Sequence, residues 1–184
     1  MTEQSFATSQ KLVHWLMAIC IIAMLFIGVG MVSTVKPDYL ALTSIHKSLG
    51  IAILALVVIR IALRLTLGAP PLPADLPGPL KLGARLSHVA LYGLMIVMPL
   101  LGWAMLSAAQ YPIVVFGGLR LPPILPPNAS LHAVLWDLHA SLAYLFFAVV
   151  LMHIAAALFH ALIRRDGVFE AMAAFGRPKV APAE

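Results

Sequence analysis

Three of the seven histidines in this chain lie on one apolar stretch, at positions 139, 153 and 160. An α-helix turns about 100° per residue, so fourteen residues bring His153 back to within about 40° of His139. At about 1.5 Å per residue the two lie roughly 21 Å apart, which gives two depths in a membrane core about 30 Å thick. Neutral imidazole is a good axial ligand for haem iron, and two opposed imidazoles leave an electron-transfer centre. The spacing therefore favours two haem sites stacked along a helix bundle.

Three further histidines stand near the ends of the other apolar segments, namely His14 in KLVHWLMA, His46 in SIHKSLGI and His88 in RLSHVALYG. In a chain that crosses the membrane four times, His46 shares the outer depth with His139, and His14 shares the inner depth with His153. These four residues are the predicted axial ligands of two haem irons. Three roles stay open for His88: it replaces His14 as the inner ligand, bonds a haem propionate, or handles protons.

The remaining histidines receive other assignments. His160 lies about two turns beyond His153 and points the same way, too far along the helix to bind the same iron. A quinone or proton site is predicted at His160, and a solvated residue at the helix end is the alternative. His132 is placed in the outer loop with no assigned role. Zinc is the rival ligand for such a set, but zinc needs ligands that converge on one point, and these are spread over about 20 Å.

The composition predicts an integral membrane protein. Of the 184 residues, 62% are hydrophobic and 10% are charged, and the mean hydropathy is +0.99. Four apolar runs are long enough to cross a bilayer as helices, at about residues 12–33, 42–67, 86–107 and 134–163. The first run is longer than the apolar part of a signal peptide, so it is predicted to be retained. The predicted fold is an all-α, four-helix transmembrane bundle that forms one membrane domain over residues 1–184.

The basic residues predict the orientation of this bundle. Nine lie in or near the N-terminus, the helix 2–3 connection and the C-terminal tail: Lys11, Arg60, Arg64, Lys81, Arg85, Arg164, Arg165, Arg177 and Lys179. Only Lys36, Lys47 and Arg120 lie on the other side. The positive-inside rule therefore places both termini in the cytoplasm. The net charge of +5 is read as a topology signal, and no nucleic-acid partner is expected.

Several basic and small residues are candidates for supporting a haem. Arg60 and Arg64 stand one turn apart near the inner end of helix 2, where they either bind the propionates of the inner haem or reach towards lipid headgroups. Lys47 and Arg120 serve the outer haem or steer a small anionic donor towards it. Gly50 follows the helix 2 histidine by four residues and is predicted beside the outer haem, although plain helix packing explains it equally well.

Other chemistry is excluded by what the sequence lacks. Cys20 is the only cysteine, and without a CxxCH motif the chain cannot attach a c-type haem covalently. No nucleotide-binding glycine motif or catalytic Ser/His/Asp set is present, so any reaction must be electron exchange at the haems. The electron partners must then be a quinone in the lipid, a small redox molecule or a partner protein. A haem-free proton or metal transporter is a third class of function, and it would show no visible chromophore.

With these residues in place, the chain resembles the bacterial cytochrome b561 family over essentially its full length. The resemblance rests on KLVHW, SIHKSLGI, the RIALR-type end of helix 2, LSHVALY, and the H-x13-H of helix 4 with a further histidine seven residues on. The family is similar to the four-helix cytochrome b subunits of hydrogenases and formate dehydrogenases.

The resemblance implies two non-covalent b haems in the bacterial inner membrane and electron exchange with ubiquinone. It also makes His14/His153 and His46/His139 the ligand pairs, in agreement with the depth argument. Within the family, oxidation of superoxide at the outer face with electrons passed to ubiquinone is a known activity. On this chain it would start near Lys47, Arg120 and the outer haem, and would end near His160 and the inner haem, with His88 as a second candidate for the quinone site. The alternative is an electron-transfer subunit that anchors a hydrogenase or dehydrogenase in the membrane.

Overall fold

The computed structural model describes residues 5–34 and 38–173. Four long helices account for most of it, with a short antiparallel β-ribbon between the third and fourth. The elements are α1 (Thr8–Ser33), α2 (Asp38–Leu67), α3 (Gly78–Ala108), β1 (Val114–Val115), β2 (Leu119–Arg120), α4 (Ala129–Leu158), a π-helical segment (Phe159–Arg164) and α5 (Val168–Ala173). Within these residues, four helices are long and apolar enough to cross a membrane. The predicted all-α, four-helix membrane fold is confirmed.

All four long helices begin earlier than the apolar pattern predicts, and the reason is visible at the third and the fourth. The third begins at Gly78 rather than near Leu86, because a proline in its first turn is compatible with helix geometry. The fourth begins at Ala129 rather than near Val134, because the Asn128 side chain accepts a hydrogen bond from the Leu131 amide at 2.9 Å and caps the helix. As a result His132 lies in α4, and its predicted position in the loop is wrong.

The buried core is an apolar layer halfway along the bundle, to which each long helix contributes two residues: Met17, Ile21, Ile53, Val57, Leu94, Met95, Phe146 and Val149. Along α4, the residues of this layer fall between His139 and His153. Many large apolar side chains point outward instead, as for Val32 and Leu65, which are about four-fifths exposed. An outward apolar surface of this kind is what a lipid environment requires.

Both described ends of the chain lie at the same end of the bundle, here named the terminal face. The Phe6 amide donates to the Ala171 carbonyl at 3.1 Å, and Trp15 Nε1 donates to the Met172 carbonyl at 3.3 Å. The buried amide of Gln10 donates to the carbonyls of Leu63 and Gly68 and so fixes the end of α2 to α1. The shared position of both ends agrees with the predicted topology. The Lys36, Arg177 and Lys179 used in that prediction lie outside the described residues.

The β-ribbon covers the opposite end of the bundle, here named the hairpin face. Val114 pairs with Arg120 and Val115 with Leu119. The Phe116 amide donates to Ser48 Oγ on α2 at 2.9 Å, so the ribbon is attached to the helix that carries His46. The rest of this connection is attached to α3, since Trp103 Nε1 donates to the Pro122 carbonyl at 2.9 Å and the Ile124 amide donates to Ser107 Oγ at 3.1 Å.

Candidate functional site

His46 of α2 and His139 of α4 face each other below the hairpin face. Their ring centroids are 6.2 Å apart and their planes are inclined at 63°. The Nδ1 atom of each ring is buried, with no hydrogen-bond partner in residues 5–34 and 38–173. Buried polar atoms without a partner are rare, because they have lost their bonds to water. Two metal–imidazole bonds of about 2.0–2.1 Å would separate the ring centroids by roughly 6 Å, so the pair fits one iron held between two imidazoles.

Gly102 of α3 lies directly against this pair. A Cβ atom at position 102 would come within 3.4 Å of His139 Cε1 and 3.8 Å of its Nδ1. A methyl group at position 102 would therefore touch the ring of His139 at an ordinary contact distance, and a larger side chain would collide with it. The sequence marks Gly102 only as one of several small residues in the apolar segments, and its contact with His139 follows from the fold.

A second group of histidines lies towards the terminal face, on the far side of the apolar layer. The ring centroids of His14 and His153 are 6.4 Å apart, and those of His88 and His153 are 5.5 Å apart. His88 Nδ1 lies 2.7 Å from the Ala84 carbonyl oxygen, which can only accept, so this nitrogen carries the proton. Both predicted partners of His153 are thus beside it, and the separation of His14 from His153 matches that of the hairpin-face pair.

Arg60 and Arg64 lie beside this second group. The charge of Arg60 acts on His14, His88 and His153. Its Nη1 atom donates to the Gln10 carbonyl at 3.4 Å, while the guanidinium of Arg64 sits over the ring of Phe6, 5.5 Å from its centroid. Within the described residues, neither arginine forms a salt bridge with an acidic side chain. Both are positioned where an anionic group at the terminal-face histidines would find a positive field.

The sequence predicts three residues near the outer haem, namely Lys47, Arg120 and Gly50. Lys47 is half-buried next to His46 in the chain, and Arg120 is exposed on β2. In the described part of the chain, neither makes an ion pair. Gly50 faces α1, since a Cβ there would meet Met24 Cε at 3.8 Å, an ordinary packing distance. Helix packing, the alternative kept open for Gly50, accounts for that contact.

His160 is held by an acidic residue that the sequence does not single out. Its Nδ1 atom is 2.8 Å from Asp166 Oδ2 and 3.0 Å from Oδ1. Arg164 joins the same carboxylate through Nε at 2.8 Å and reaches Asp75 at 2.7 Å. Burial alone would raise the pKa of Asp166, but the hydrogen bonds from Arg164, His160 and the Val168 amide outweigh it and lower that pKa. Six residues separate His160 from Asp166, which is not a spacing that brings residues together on an α-helix.

His132 connects α4 to α3. Its Nδ1 atom lies 3.0 Å from the Met105 carbonyl oxygen, to which it donates. Its ring packs edge-on against Tyr111, with centroids 6.1 Å apart. These contacts join the start of α4 to the end of α3.

In the part of the chain that the structure describes, no three His, Cys, Asp or Glu side chains come together to hold a metal ion. The histidines meet instead as the pair of His46 and His139 and as the group of His14, His88 and His153. Imidazole is a ligand that haem iron takes from a protein.

Comparison with known proteins agrees with this arrangement. Prokaryotic cytochrome b561 is the family that matches, over residues 5–174. "Cytochrome b561 homolog 2" of Escherichia coli K12 is 31% identical over 174 residues, which cover 93% of this chain and 92% of that protein. "Cytochrome b561 homolog 1" of the same strain is 25% identical over 169 residues, covering 88% and 92%. "Probable superoxide oxidase CybB" of Yersinia pestis is 35% identical over 123 residues, covering 66% and 69%.

The match covers all four long helices and both groups of paired histidines. The chain therefore belongs to the prokaryotic cytochrome b561 family, whose members transfer electrons in membranes through haem b.

Proposed function

We propose that this protein binds two b haems non-covalently and carries electrons across the bacterial inner membrane to ubiquinone. His46 and His139 hold one haem near the hairpin face, and His14 and His153 hold the other near the terminal face. The observation that carries the proposal is the pair of matched centroid separations, 6.2 Å and 6.4 Å. Two sites separated by an apolar layer are what an electron path between two membrane faces requires.

The charge distribution supports one orientation of this path. The excess of Lys and Arg at the terminal face favours a cytoplasmic position for that face and a periplasmic position for the hairpin face. A bound haem b accepts and releases one electron at a time, and the protein determines where and at what potential. The four paired histidines would supply imidazole nitrogens to the irons, and Arg60 and Arg64 would supply positive charge for the propionates of the inner haem.

Superoxide is the proposed electron donor at the hairpin face. Two superoxide ions lose one electron each and become dioxygen, and the two electrons with two protons convert ubiquinone to ubiquinol. Lys47 and the exposed Arg120 would raise the local concentration of a small anion at this face. The match to a Yersinia pestis protein named as a probable superoxide oxidase supports this choice of donor.

Ubiquinone is proposed to exchange electrons at the terminal face, near His160 and His88. His160 lies about two turns beyond His153 on the same helix, and Asp166 fixes its ring. The Nε2 atom of His160 is then available to a quinone carbonyl oxygen. His88 lies beside His153, with their ring centroids 5.5 Å apart.

The test is a visible difference spectrum of the purified chain, with haem counted per chain, followed by a superoxide-driven ubiquinone reduction assay in liposomes. Two low-spin b haems and ubiquinol formation are the expected results. One haem or none would overturn the ligand assignment. Two haems without superoxide activity, together with hydrogenase or dehydrogenase subunits that copurify, would assign the chain to a membrane-anchoring subunit instead.

A further inference from the structure

The chain leaves α4 through an unusual turn that brings two titratable residues together. Residues Phe159–Arg164 are π-helical, and the Arg165 amide donates to the His160 carbonyl at 2.7 Å. Arg165 then adopts a left-handed conformation, with φ of 53°, which non-glycine residues adopt at a cost. Such π-helical turns often occur at functional sites. Here the turn reverses the chain and places the Asp166 carboxylate against the ring of His160.

The carboxylate of Asp166 is enclosed and fully engaged. The Asp166 side chain is 10% exposed, and that of His160 is 14% exposed. Asp166 accepts hydrogen bonds from His160 Nδ1, from Arg164 Nε and, at 3.4 Å, from the Val168 amide. These donors lower the pKa of Asp166 against the effect of burial, so the group is an ionised acceptor at neutral pH.

An ionised carboxylate determines which nitrogen of the imidazole carries a proton. Because the carboxylate can only accept, Nδ1 must be the donor. In the neutral ring, Nε2 is then an acceptor, and in the imidazolium it is a second donor. Every hydrogen bond that the ring makes within the described residues uses Nδ1. We infer that Asp166 is a positioning residue that holds His160 with Nε2 directed to a quinone headgroup, so that His160 can donate a proton to the quinone carbonyl oxygen. This inference rests on the proposed quinone function.

The reduction of ubiquinone to ubiquinol needs two electrons and two protons. Ubiquinone takes two electrons from the haems and two protons from the cytoplasmic side. One proton passes from His160 Nε2 to a carbonyl oxygen as the new O–H bond forms, and His160 recovers it from water. The second proton comes from water. Asp166 remains the acceptor throughout, and its hydrogen bond to Nδ1 keeps the ring of His160 in place while Nε2 gives up and regains the proton.

The other charged groups near the pair have separate partners or face solvent. Arg164 links Asp166 to Asp75, whose side chain is 76% exposed. Arg165 Nε donates to the Leu162 carbonyl. Glu170 is exposed on α5. On α4, the nearest preceding titratable side chain is His153.

The experiment compares Asp166→Asn, Asp166→Glu and His160→Ala in the full-length holoprotein, with Glu170→Gln as the matched control. Glu170→Gln removes the same charge from the same face without touching His160. The measurements are kcat and KM for a short-chain ubiquinone as functions of pH, together with the haem spectrum. General acid–base residues contribute roughly 10²–10⁴-fold, so we expect Asp166→Asn to lower kcat at least tenfold. The pH profile should shift, KM should stay close to that of the unmodified protein, and Asp166→Glu should recover part of the rate.

A double substitution separates positioning from a general structural effect. If Asp166 acts through His160, Asp166→Asn should cause no further loss of kcat in a His160→Ala background. Additive losses, or an Asp166→Asn variant with unchanged kcat and pH profile, would overturn the inference while a slow His160→Ala variant still supported the quinone site. Normal quinone exchange in His160→Ala would overturn the quinone site itself.

Discussion

His46 and His139 place two buried Nδ1 atoms without partners on rings whose centroids are 6.2 Å apart. The two rings meet edge to face, but this contact gives their buried Nδ1 atoms no hydrogen bond. The cost of burying them is recovered when one nitrogen of each ring binds an electrophile between the rings and the N–H of each ring finds an acceptor. The proposed haem between the two rings would supply that electrophile.

Substituting either member of this pair should remove one haem and leave the other. We expect His46→Ala and His139→Ala each to bind close to one haem per chain, because the terminal-face histidines lie beyond the apolar layer. The haem-to-protein ratio and the reduced-minus-oxidised spectrum measure this. His132→Ala is the control, since His132 bonds the Met105 carbonyl and should keep both haems. Two haems in His46→Ala would show that the pair is not the ligand set.

The terminal-face group predicts different results for His14→Ala and His88→Ala. The separation of His14 from His153 is 6.4 Å, as required for a shared iron, whereas His88 is closer and already bonds Ala84. We expect His14→Ala to lose the terminal-face haem. His88→Ala should keep two haems and exchange electrons with ubiquinol several-fold more slowly. Haem counting and rapid-mixing kinetics distinguish the two variants, and the reverse pattern would make His88 the ligand.

A larger side chain at position 102 should displace the ring of His139, a proposed haem ligand, although His139 itself is unchanged. A Cβ at 3.4 Å from His139 Cε1 is an ordinary contact, so Gly102→Ala should be tolerated. The extra methyl groups of Gly102→Val should displace the ring of His139 and weaken or remove the hairpin-face haem. Gly93→Val is the matched control on the same helix, since a Cβ there meets nothing within 4 Å. Equal haem content in both valine variants would contradict this expectation.

The lowered pKa of Asp166 predicts that the contacts of α5 at the terminal face weaken in acid. The pKa of Asp166 in the folded protein lies below the ordinary value of 3.8. Its hydrogen bonds therefore stabilise the folded state fully above pH 3.8, and this stabilisation is lost as the pH falls through the lowered pKa. Trp15 reports this directly, because its Nε1 atom donates to Met172 on α5. In a Trp103→Phe, Trp136→Phe background, the Trp15 fluorescence should change below about pH 4, near the ordinary pKa of Asp. The change should be absent from Asp166→Asn, and an identical change in that variant would assign it to another group.

The parts of this structure that could be predicted from the sequence depend on regular geometry. A constant rise per residue converts the spacing of His139 and His153 into two depths, and the same arithmetic selects their neighbours on α1 and α2. The number of long helices follows from length and hydropathy alone. The places where the helices begin do not, because the proline at the start of α3 and the Asn128 cap of α4 are residues that also occur in loops.

The Asp166 contact could not be predicted for a different reason. It depends on a π-helical turn followed by a left-handed residue, and neither leaves a periodic pattern in the sequence. The packing of Gly102 against His139 likewise depends on the rotation of α3 against α4. Both contacts involve residues whose types were visible, but whose neighbours are decided by tertiary structure.

Arg120 predicts that the rate of superoxide oxidation depends on salt. It is exposed on β2 at the hairpin face, where a positive charge attracts a small anion and where salt screens the attraction. Arg120→Glu should lower the second-order rate constant several-fold at low ionic strength, and the difference should shrink as salt is added. Arg85→Glu makes the same charge change on an exposed residue of α3 near the terminal face, and it should leave the rate constant unchanged. Equal losses in both variants would mean that the net charge, rather than the position of Arg120, controls the approach of superoxide.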